Sequence, residues 1–275
     1  MQVLGIVGPS GNGTTTLVER LVARCADANR VATVTQCDRA PAVDTDRTDI
    51  ARHRTAGAAT TVATTDDGEW VASGESRTLD ETLTELAPAF DFVFVDGYPD
   101  SSLPKVVLGD RPATDPVVHR ADDGETADLD AILDALAAQG PYVTLESLVR
   151  EVKGSPDEDR AGAIATFTGR VRARDSDDDA PTEHLEFERY DAVADETMAA
   201  IRGDIEGREG VFAVRLHHKT GVVQAGEDIV FVVVLAGHRE EAFRAVEDGI
   251  DRLKAEVPLF KKEVTVEEVF WAHDR

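Results

Sequence analysis

Half of the chain's six lysines lie within nine residues of one another, in the segment Leu253–Glu263. These are Lys254, Lys261 and Lys262, and Pro258 lies between the first and the other two. A primary amine can act as a point charge for an anion, as a donor, or as a pKa-tunable acid, base or nucleophile. Because almost all other positive charge in the chain comes from arginine, the segment predicts a functional site rather than a solvated basic edge.

Other cations of the C-terminal half occur where predicted strands end and helices begin. Arg170 and Arg172 have the same parity on a strand, so both can face one pocket while Val171 packs behind them. His238 and Arg239 follow the most apolar strand and open a helix, where first-turn amides can help to bind an anion. Convergence of these side chains predicts a ligand that carries phosphate or another anion.

The adjacent pair His217 and His218 is the only hint of a metal site. Adjacent residues of a strand point to opposite faces, and no third ligand has a suitable spacing, so we predict no metal site. One histidine is expected in the core and the other at the surface, with His218 nearer the anion site.

A glycine-rich segment, G-P-S-G-N-G-T-T, lies between a predicted strand and a predicted helix at residues 8–15. This context is typical of a P-loop, G-x-x-x-x-G-K-[ST], whose amides and lysine bind phosphate while the Ser/Thr binds Mg²⁺. Here Thr14 stands at the lysine position, which predicts weakened binding and no hydrolysis. A turn that only shapes the fold is the alternative. The predicted nucleotide-binding residues are Gly8, Gly11, Asn12, Gly13, Thr14, Thr15 and, at the end of an apolar strand, Asp96.

The formal charge is −25, from 54 acidic and 29 basic residues. It is spread evenly, with −13 in residues 1–140 and −12 in residues 141–275. Evenness predicts a whole-surface adaptation to very high salt, where the Debye length falls to roughly 3 Å and self-repulsion is screened. No basic stripe is available to neutralise phosphates, which argues against nucleic acid as a main partner.

Cysteine usage and hydropathy place the chain in a cytoplasmic class. Cys25 and Cys37 form no CxxC motif, so neither a disulfide framework nor a zinc site is indicated. The N-terminal segment has no basic region before its first strand, and no apolar run approaches about 18 residues. We therefore expect a soluble cytoplasmic protein without membrane spans.

Alternating strand and helix signals predict an α/β doubly wound parallel sheet with some antiparallel additions in the first half. Asp67-Gly68 predicts a hairpin within Thr61–Ala72. A polar stretch and Gln139-Gly140-Pro141 place the domain boundary between 1–140 and 141–275. The second half is predicted to be α+β, with a hydrophilic loop at Arg174–Pro181. Strands are predicted at 2–8, 31–35, 91–96, 105–108, 163–171, 184–190, 212–217, 229–235 and 259–266, and helices at 14–28, 129–138, 145–152, 193–206 and 240–255.

The first 120 residues resemble the molybdopterin-guanine dinucleotide biosynthesis adaptor protein B, a GTP-binding P-loop family. The resemblance implies a P-loop NTPase-like fold and GTP with Mg²⁺ as ligands of the loop. The chain departs from that family at Thr14, where lysine is usual, and at Asp96, where glutamate is usual. The resemblance rests on the loop, on D-T-D-R-T-D-I-A-R-H-R-T-A-G-A (44–58), on V-F-V-D-G-Y (93–98) and on L-P-K-V-V-L (103–108).

Residues 142–271 resemble the large, catalytic subunit of molybdopterin synthase. The resemblance implies conversion of cyclic pyranopterin monophosphate to molybdopterin, with two sulfurs delivered by the thiocarboxylated Gly-Gly tail of a small ubiquitin-like carrier. It implies no cofactor for sulfur transfer, and a central homodimer with a carrier at each end. The motifs are F-T-G-R-V-R, H-H-K-T-G, A-G-H-R-E-E-A-F and L-K-A-E-V-P-L-F-K-K-E.

The family's functional positions match five residues of this chain. Lys254 and Lys261 would be catalytic, while Arg172, His238 and Arg239 would bind substrate, to which the strand patterns add Arg170 and His218. Phe260 and Lys262 replace the common tryptophan and arginine beside the second lysine. A non-catalytic adaptor that binds nucleotide or finished cofactor is the alternative function. A GTPase with a regulatory second half is disfavoured by Thr14.

Overall fold

The computed structural model describes residues 1–38, 49–174, 176, 180–265 and 269–272. The chain forms two compact units, Met1–Tyr142 and Val143–Arg275. The division lies close to the boundary expected after residue 140. Parts of three sequence predictions fall outside the described residues: 44–48 of the first resemblance, most of 175–179 in the hydrophilic loop, and Val266 at the end of the last predicted strand.

The N-terminal unit is built on a sheet of five parallel strands. These strands are β1 (Gln2–Val7), β2 (Val31–Thr35), β5 (Phe92–Asp96), β6 (Lys105–Leu108) and β7 (Val117–Ala121), in the order β2-β5-β1-β6-β7. The helices are α1 (Thr14–Cys25), α2 (Asp49–Thr55), α3 (Leu79–Leu86) and α4 (Leu129–Ala137).

Helices cover both faces of this sheet. Alternate residues of β1 point to opposite faces and so pack against different helices. Leu4 and Ile6 lie in a buried cluster with residues of α1 and α4. Val3 lies in a second buried cluster with Leu83 of α3. The predicted doubly wound α/β fold is therefore confirmed. Helix α3 was not predicted, although its capping box between Thr78 and Glu81 is a sequence-level signal.

The predicted hairpin is present as β3 (Thr60–Thr64) and β4 (Trp70–Gly74). Its turn contains Gly68, whose φ of +85° favours glycine. The two strands form a sheet of their own, against which α2 lies. The antiparallel addition therefore does not extend the main sheet, which corrects that part of the prediction.

The C-terminal unit contains two antiparallel sheets, in the orders β10-β12-β8 and β11-β9-β13-β14. The strands are β8 (Ala163–Arg170), β9 (Thr182–Arg189), β10 (Val211–His218), β11 (Gly221–Gln224), β12 (Asp228–Ala236), β13 (Leu259–Thr265) and β14 (Val269–Ala272). The helices are α5 (Leu145–Lys153), a 3₁₀ turn at Glu158–Arg160, α6 (Asp191–Glu206) and α7 (Arg239–Glu256).

After its first residue, Asp228, strand β12 is entirely apolar, and helices cover both of its faces. Val232 and Val234 lie in a buried cluster with Ile250 of α7. Phe231 and Val233 lie in another with residues of α5. The separate layers agree with the predicted α+β unit. The short strands β11 and β14 were not predicted.

Candidate functional site

A cavity of about 570 Å³ lies in the C-terminal unit, where one end of β8 and β12 meets the last turns of α7 and strand β13. Apolar side chains such as Phe167, Leu185 and Phe187 form part of its wall. Lys254 and Lys261 form another part. A space of this size with apolar walls and a few converging cations is the arrangement expected for a small anionic ligand.

The two lysines reach the cavity from different elements. Helix α7 ends at Glu256, and Pro258, which has no N–H to continue the helix, leads into β13. Lys254 is in the last helical turn and Lys261 is on the strand, so the turn at Pro258 brings both amines to one cavity. Lys254 forms no ion pair with any residue that the structure describes.

Lys262 lies on the opposite face of β13. Its Nζ lies 2.9 Å from Oε2 of Glu186, its neighbour across the ladder with β9. Both side chains are about one-third exposed, at 32% and 33%. Lys262 is therefore paired with a carboxylate, whereas Lys254 has no carboxylate partner among the described residues.

Arg170 and Arg172 both line the cavity, and Val171 between them is buried. Nε of Arg170 lies 3.0 Å from Oδ1 of Asp228, and its guanidinium also donates to the Gly226 carbonyl. Arg170 thus fixes the turn that leads into β12. Arg172 lies just beyond the end of β8 and is exposed at the rim of the cavity.

The two histidines of β10 lie in different surroundings. His218 is buried and lines the cavity; the carbonyl of Lys219, 2.7 Å from its Nδ1, fixes the proton on that nitrogen, since a carbonyl can only accept. His217 is half-buried and stacks on the buried ring of Phe231, so neither histidine lies at the surface, which corrects that part of the prediction. Burial, followed by the charges of His218, Arg189 and Lys219, lowers the pKa of His217 to about 4, so it is neutral at pH 7.

His238 and Arg239 do not join this cavity, which corrects the prediction that they converge with Arg172. They are the N-cap and first residue of α7, while Lys254 lies in its last turn. At 1.5 Å per residue the helix separates His238 from Lys254 by about 24 Å. The sequence correctly predicted that these two residues follow a strand and begin a helix. It did not show that the cavity lies at the other end of β12.

Two residues that sequence reasoning missed also line the cavity, Thr182 and Glu263. The hydroxyl of Thr182 donates to Oε1 of Glu263 and so holds that carboxylate. Glu263 is two residues beyond Lys261 on β13 and therefore lies on the same face. That parity was the signal that could have identified it.

The glycine-rich loop joins β1 to α1 in the N-terminal unit, as a P-loop does. Gly11 and Gly13 have φ of +92° and +77°, a conformation that favours glycine. Gly13 is the N-cap of α1, so the amides of the residues that follow have no helical acceptor and are oriented for an anion. The hydroxyl of Thr15 donates to Oδ2 of Asp96 at 3.4 Å, which joins the two predicted Mg²⁺-binding positions.

Two contacts hold other predicted residues of this loop in place. The side-chain amide of Asn12 donates to the Asp122 carbonyl at 3.4 Å. A Cβ built on Gly8 would lie 3.1 Å from Cγ2 of Thr14, so the side chain that replaces the lysine lies against the first glycine. The structure therefore keeps the backbone of a phosphate-binding loop and lacks the lysine.

Among the described residues, no group of three or more His, Cys, Asp and Glu side chains is placed to hold a metal ion. None of the helices in these residues is both long enough and apolar enough to cross a membrane.

Comparison with known proteins assigns each unit to a family. Residues 3–134 match the family described as molybdopterin guanine dinucleotide synthesis protein B, and residues 140–256 match the family described as MoaE protein. A probable molybdopterin synthase of Haloferax volcanii is 50% identical over 275 residues, which is 100% of both chains.

Two further relatives match the C-terminal unit. The molybdopterin synthase catalytic subunit of Yersinia pestis is 37% identical over 119 residues, 43% of this chain and 76% of its own length. The crystal structure of molybdopterin synthase from Staphylococcus aureus is 30% identical, covers 49% of this chain and 93% of its own, and has a TM-score of 0.43.

Proposed function

The chain belongs to the molybdopterin synthase family and is an enzyme of molybdenum cofactor biosynthesis, and we propose that its C-terminal unit performs the sulfur transfer. The substrate would be cyclic pyranopterin monophosphate. A small ubiquitin-like carrier with a thiocarboxylated Gly-Gly tail would deliver two sulfurs in turn, giving the dithiolene of molybdopterin. The observation that carries this proposal is that Lys254 and Lys261, from separate elements, line one cavity in a chain of net charge −25.

Lys254 and Lys261 can serve both halves of such a transfer. Attack by the thiocarboxylate sulfur on a side-chain carbon of the substrate forms a C–S bond while a C–O bond of that carbon breaks, and its oxygen leaves with the phosphate or, once protonated, as water. The carrier is then joined to the substrate as a thioester. Water then adds to the acyl carbon, the bond between that carbon and sulfur breaks, and the carrier leaves as a carboxylate. A protonated amine stabilises the tail and the developing oxyanion, and a neutral amine accepts the proton of the attacking water.

The remaining cavity residues fit binding of the substrate. Arg172 at the exposed rim would bind the cyclic phosphate, since a guanidinium matches phosphate geometry. The wall around Phe167 and Leu185 would contact the pterin rings, and His218, held in one tautomer, would orient them. Arg170 would act indirectly, by holding the turn at Asp228.

His238 and Arg239 can bind the same substrate only if they come from a second copy, because α7 separates them from the cavity of their own chain. We therefore infer a homodimer in which the start of α7 in one copy reaches the cavity of the other. A two-fold axis would form two such sites at once, because each contact is then made twice.

Mixing two inactive variants tests this homodimer. Lys261→Ala removes the cavity amine, and the double variant His238→Ala/Arg239→Ala removes the far-end cations. When the two proteins exchange subunits, half of the dimers are mixed and each has one intact site, so about a quarter of wild-type activity should return. No recovery, after subunit exchange has been shown with labelled chains, would contradict shared sites.

The carrier's entry into the cavity can be tested by its tail. A carrier ending in Gly-Gly and one lacking both glycines are titrated into the full chain in molar KCl. The intact tail should increase affinity for the wild type, and Lys254→Ala should remove that increase while Lys262→Ala keeps it. Equal affinity of the wild type for the two carriers would place the tail elsewhere.

A non-catalytic adaptor is the second candidate, and the loop at residues 8–15 is what favours it for the N-terminal unit. An adaptor would bind nucleotide or molybdopterin and would form no dithiolene. Both lysines are retained in the cavity, which favours a catalytic C-terminal unit, so the two functions would belong to different units of one chain.

A further inference from the structure

Arg111 contacts the first glycine of the N-terminal loop, Gly8. It is carried by the loop that follows β6, the strand next to β1 in the sheet. Its Nη1 donates to the Gly8 carbonyl at 2.9 Å. The side chain of Thr14 also lies against Gly8. A guanidinium from a distant part of the sequence and the side chain of residue 14 therefore meet at the same glycine.

We propose that Arg111 supplies the cation that Thr14 lacks, so that the loop at residues 8–15 still binds a terminal phosphate group. The loop amides and the start of α1 would surround the phosphate, and Arg111 would offset its charge. This site is independent of sulfur transfer in the C-terminal unit.

The charge of Arg111 is available for a ligand. In the part of the chain that the structure describes, Arg111 forms no ion pair, and its hydrogen bond is to a neutral carbonyl. Two arginines of α1 are engaged elsewhere. Arg20 donates to the carbonyls of Gly124 and Ala127, and Arg24 forms an ion pair with Asp130.

The loop that carries Arg111 is fixed at both ends. Lys105, fully buried on β6, donates from Nζ to the Thr114 carbonyl at 2.9 Å. At the other end, Gly109 approaches Asn12 so closely that a Cβ would lie 2.6 Å from its side-chain nitrogen. A cation held on a fixed loop loses little freedom when it binds a ligand, which favours binding.

The acidic surroundings make the cation necessary. Asp96, Asp110, Asp122 and Asp123 belong to the loop ends around the glycine-rich segment. These carboxylates would repel an unaccompanied phosphate. Mg²⁺ held by Thr15 and Asp96 would offset part of that repulsion, and Arg111 the rest. The chemistry favours a Mg²⁺-bound phosphate group, carried either by GTP or by a phosphate monoester.

The test is a titration of the full chain in molar KCl. Mg²⁺–GTP, inorganic phosphate with Mg²⁺, and molybdopterin, which carries a phosphate monoester, are the three probes. Arg111→Ala should weaken binding of whichever probe binds the wild type by about ten- to a hundred-fold, the effect of losing a charge-assisted hydrogen bond. Binding of GTP alone identifies a nucleotide site, whereas binding of the monoester or of phosphate identifies a site for a simpler phosphate.

Two further variants and one activity measurement keep the result interpretable. Arg24→Ala removes the same charge from α1 without touching the loop, and should bind as the wild type does. Thr14→Lys in the Arg111→Ala background should restore binding, which a merely misfolded variant could not do. Dithiolene formation by Arg111→Ala should be unchanged. Wild-type affinity of Arg111→Ala, failure of Thr14→Lys to restore binding, or no binding of any probe by the wild type would overturn the proposal.

Discussion

In the C-terminal unit, Lys254 and Lys261 are seven residues apart, and a helix end and a strand meeting at Pro258 bring them to one cavity. In the N-terminal unit, the loop at residues 8–15 has threonine at its lysine position, and the nearby cation, Arg111, comes from almost a hundred residues further along the chain. Both regions present backbone and cations suited to an anion. The cluster at the lysines can be recognised in the sequence, whereas the cluster at Arg111 can be recognised only in the folded structure.

The difference shows that the loss of one motif residue does not by itself remove the capacity of a site to bind its ligand. A position in a motif is defined by sequence, but the charge it supplies is defined in space. Parallel strands bring the loops after β1, β5 and β6 to one edge of the sheet, so any of them can place a cation beside Gly8. Arg170 and Arg172 line the same cavity as the lysines, but a guanidinium cannot exchange a proton as an amine can, so we expect the lysines to be much more sensitive to mutation.

The largest expected effect is at those lysines. Lys254→Ala and Lys261→Ala should each lower the rate of dithiolene formation by about 10² to 10⁴-fold, the range for loss of a positioned acid, base or charge. Lys262→Ala should stay within about a few-fold of wild type, because losing an ion pair with Glu186 mainly costs stability. Unfolding curves should show all three variants folded. Equal loss in Lys262→Ala would mean that the functional face of β13 is the other one.

A smaller effect is expected from salt, and it should be shared by both units. Each half carries nearly the same negative charge, so screening by KCl should stabilise the two to a similar extent. The melting temperature should rise between dilute buffer and about 2 M KCl. A flat melting temperature, or a rise confined to one unit in a domain-resolved measurement such as hydrogen exchange, would contradict an even surface adaptation.

The smallest expected effect is a pH dependence of stability that comes from His217. It concerns the packing of the C-terminal unit and not the chemistry of its cavity. The pKa of His217 is about 4 in the folded protein and 6.5 in an unperturbed histidine. Between pH 6.5 and pH 4 the unfolded chain is therefore protonated at this residue while the folded protein is not. The free energy of unfolding should therefore fall over that window, by on the order of 2 kcal/mol. His217→Gln, which does not titrate, should lack this part of the decline. If the free energy of unfolding of the two proteins fell in parallel with pH, His217 would not be the cause of the decline.

Much of the fold could be predicted because its strongest signals are local. The apolar run of β12, the proline after α7 and the Asp67-Gly68 turn each specify one element. The cavity lysines could be predicted for the same reason, since seven residues and one turn join them. The elements that were missed, α3 and β11 among them, are short.

The failures concern distance and direction in space. His238 and Arg239 follow a strand as predicted, yet whether that strand ends near the cavity or far from it depends on how β12 pairs with β8. Glu263 shares the strand parity of Lys261 and could have been identified from spacing, whereas Arg111 required the order of the parallel strands. Such relations come from tertiary pairing, which residue spacing does not encode.

The central claim is that the cavity of the C-terminal unit transfers sulfur, and a single-turnover assay tests it most directly. The full chain is mixed in molar KCl with cyclic pyranopterin monophosphate and a thiocarboxylated carrier, and the product and the carrier are followed by mass. The account predicts gain of two sulfurs per substrate and release of two carriers as carboxylates, with loss of both signals in Lys261→Ala. A folded wild-type protein that forms no dithiolene, or a Lys261→Ala variant that forms it at the wild-type rate, would contradict the account.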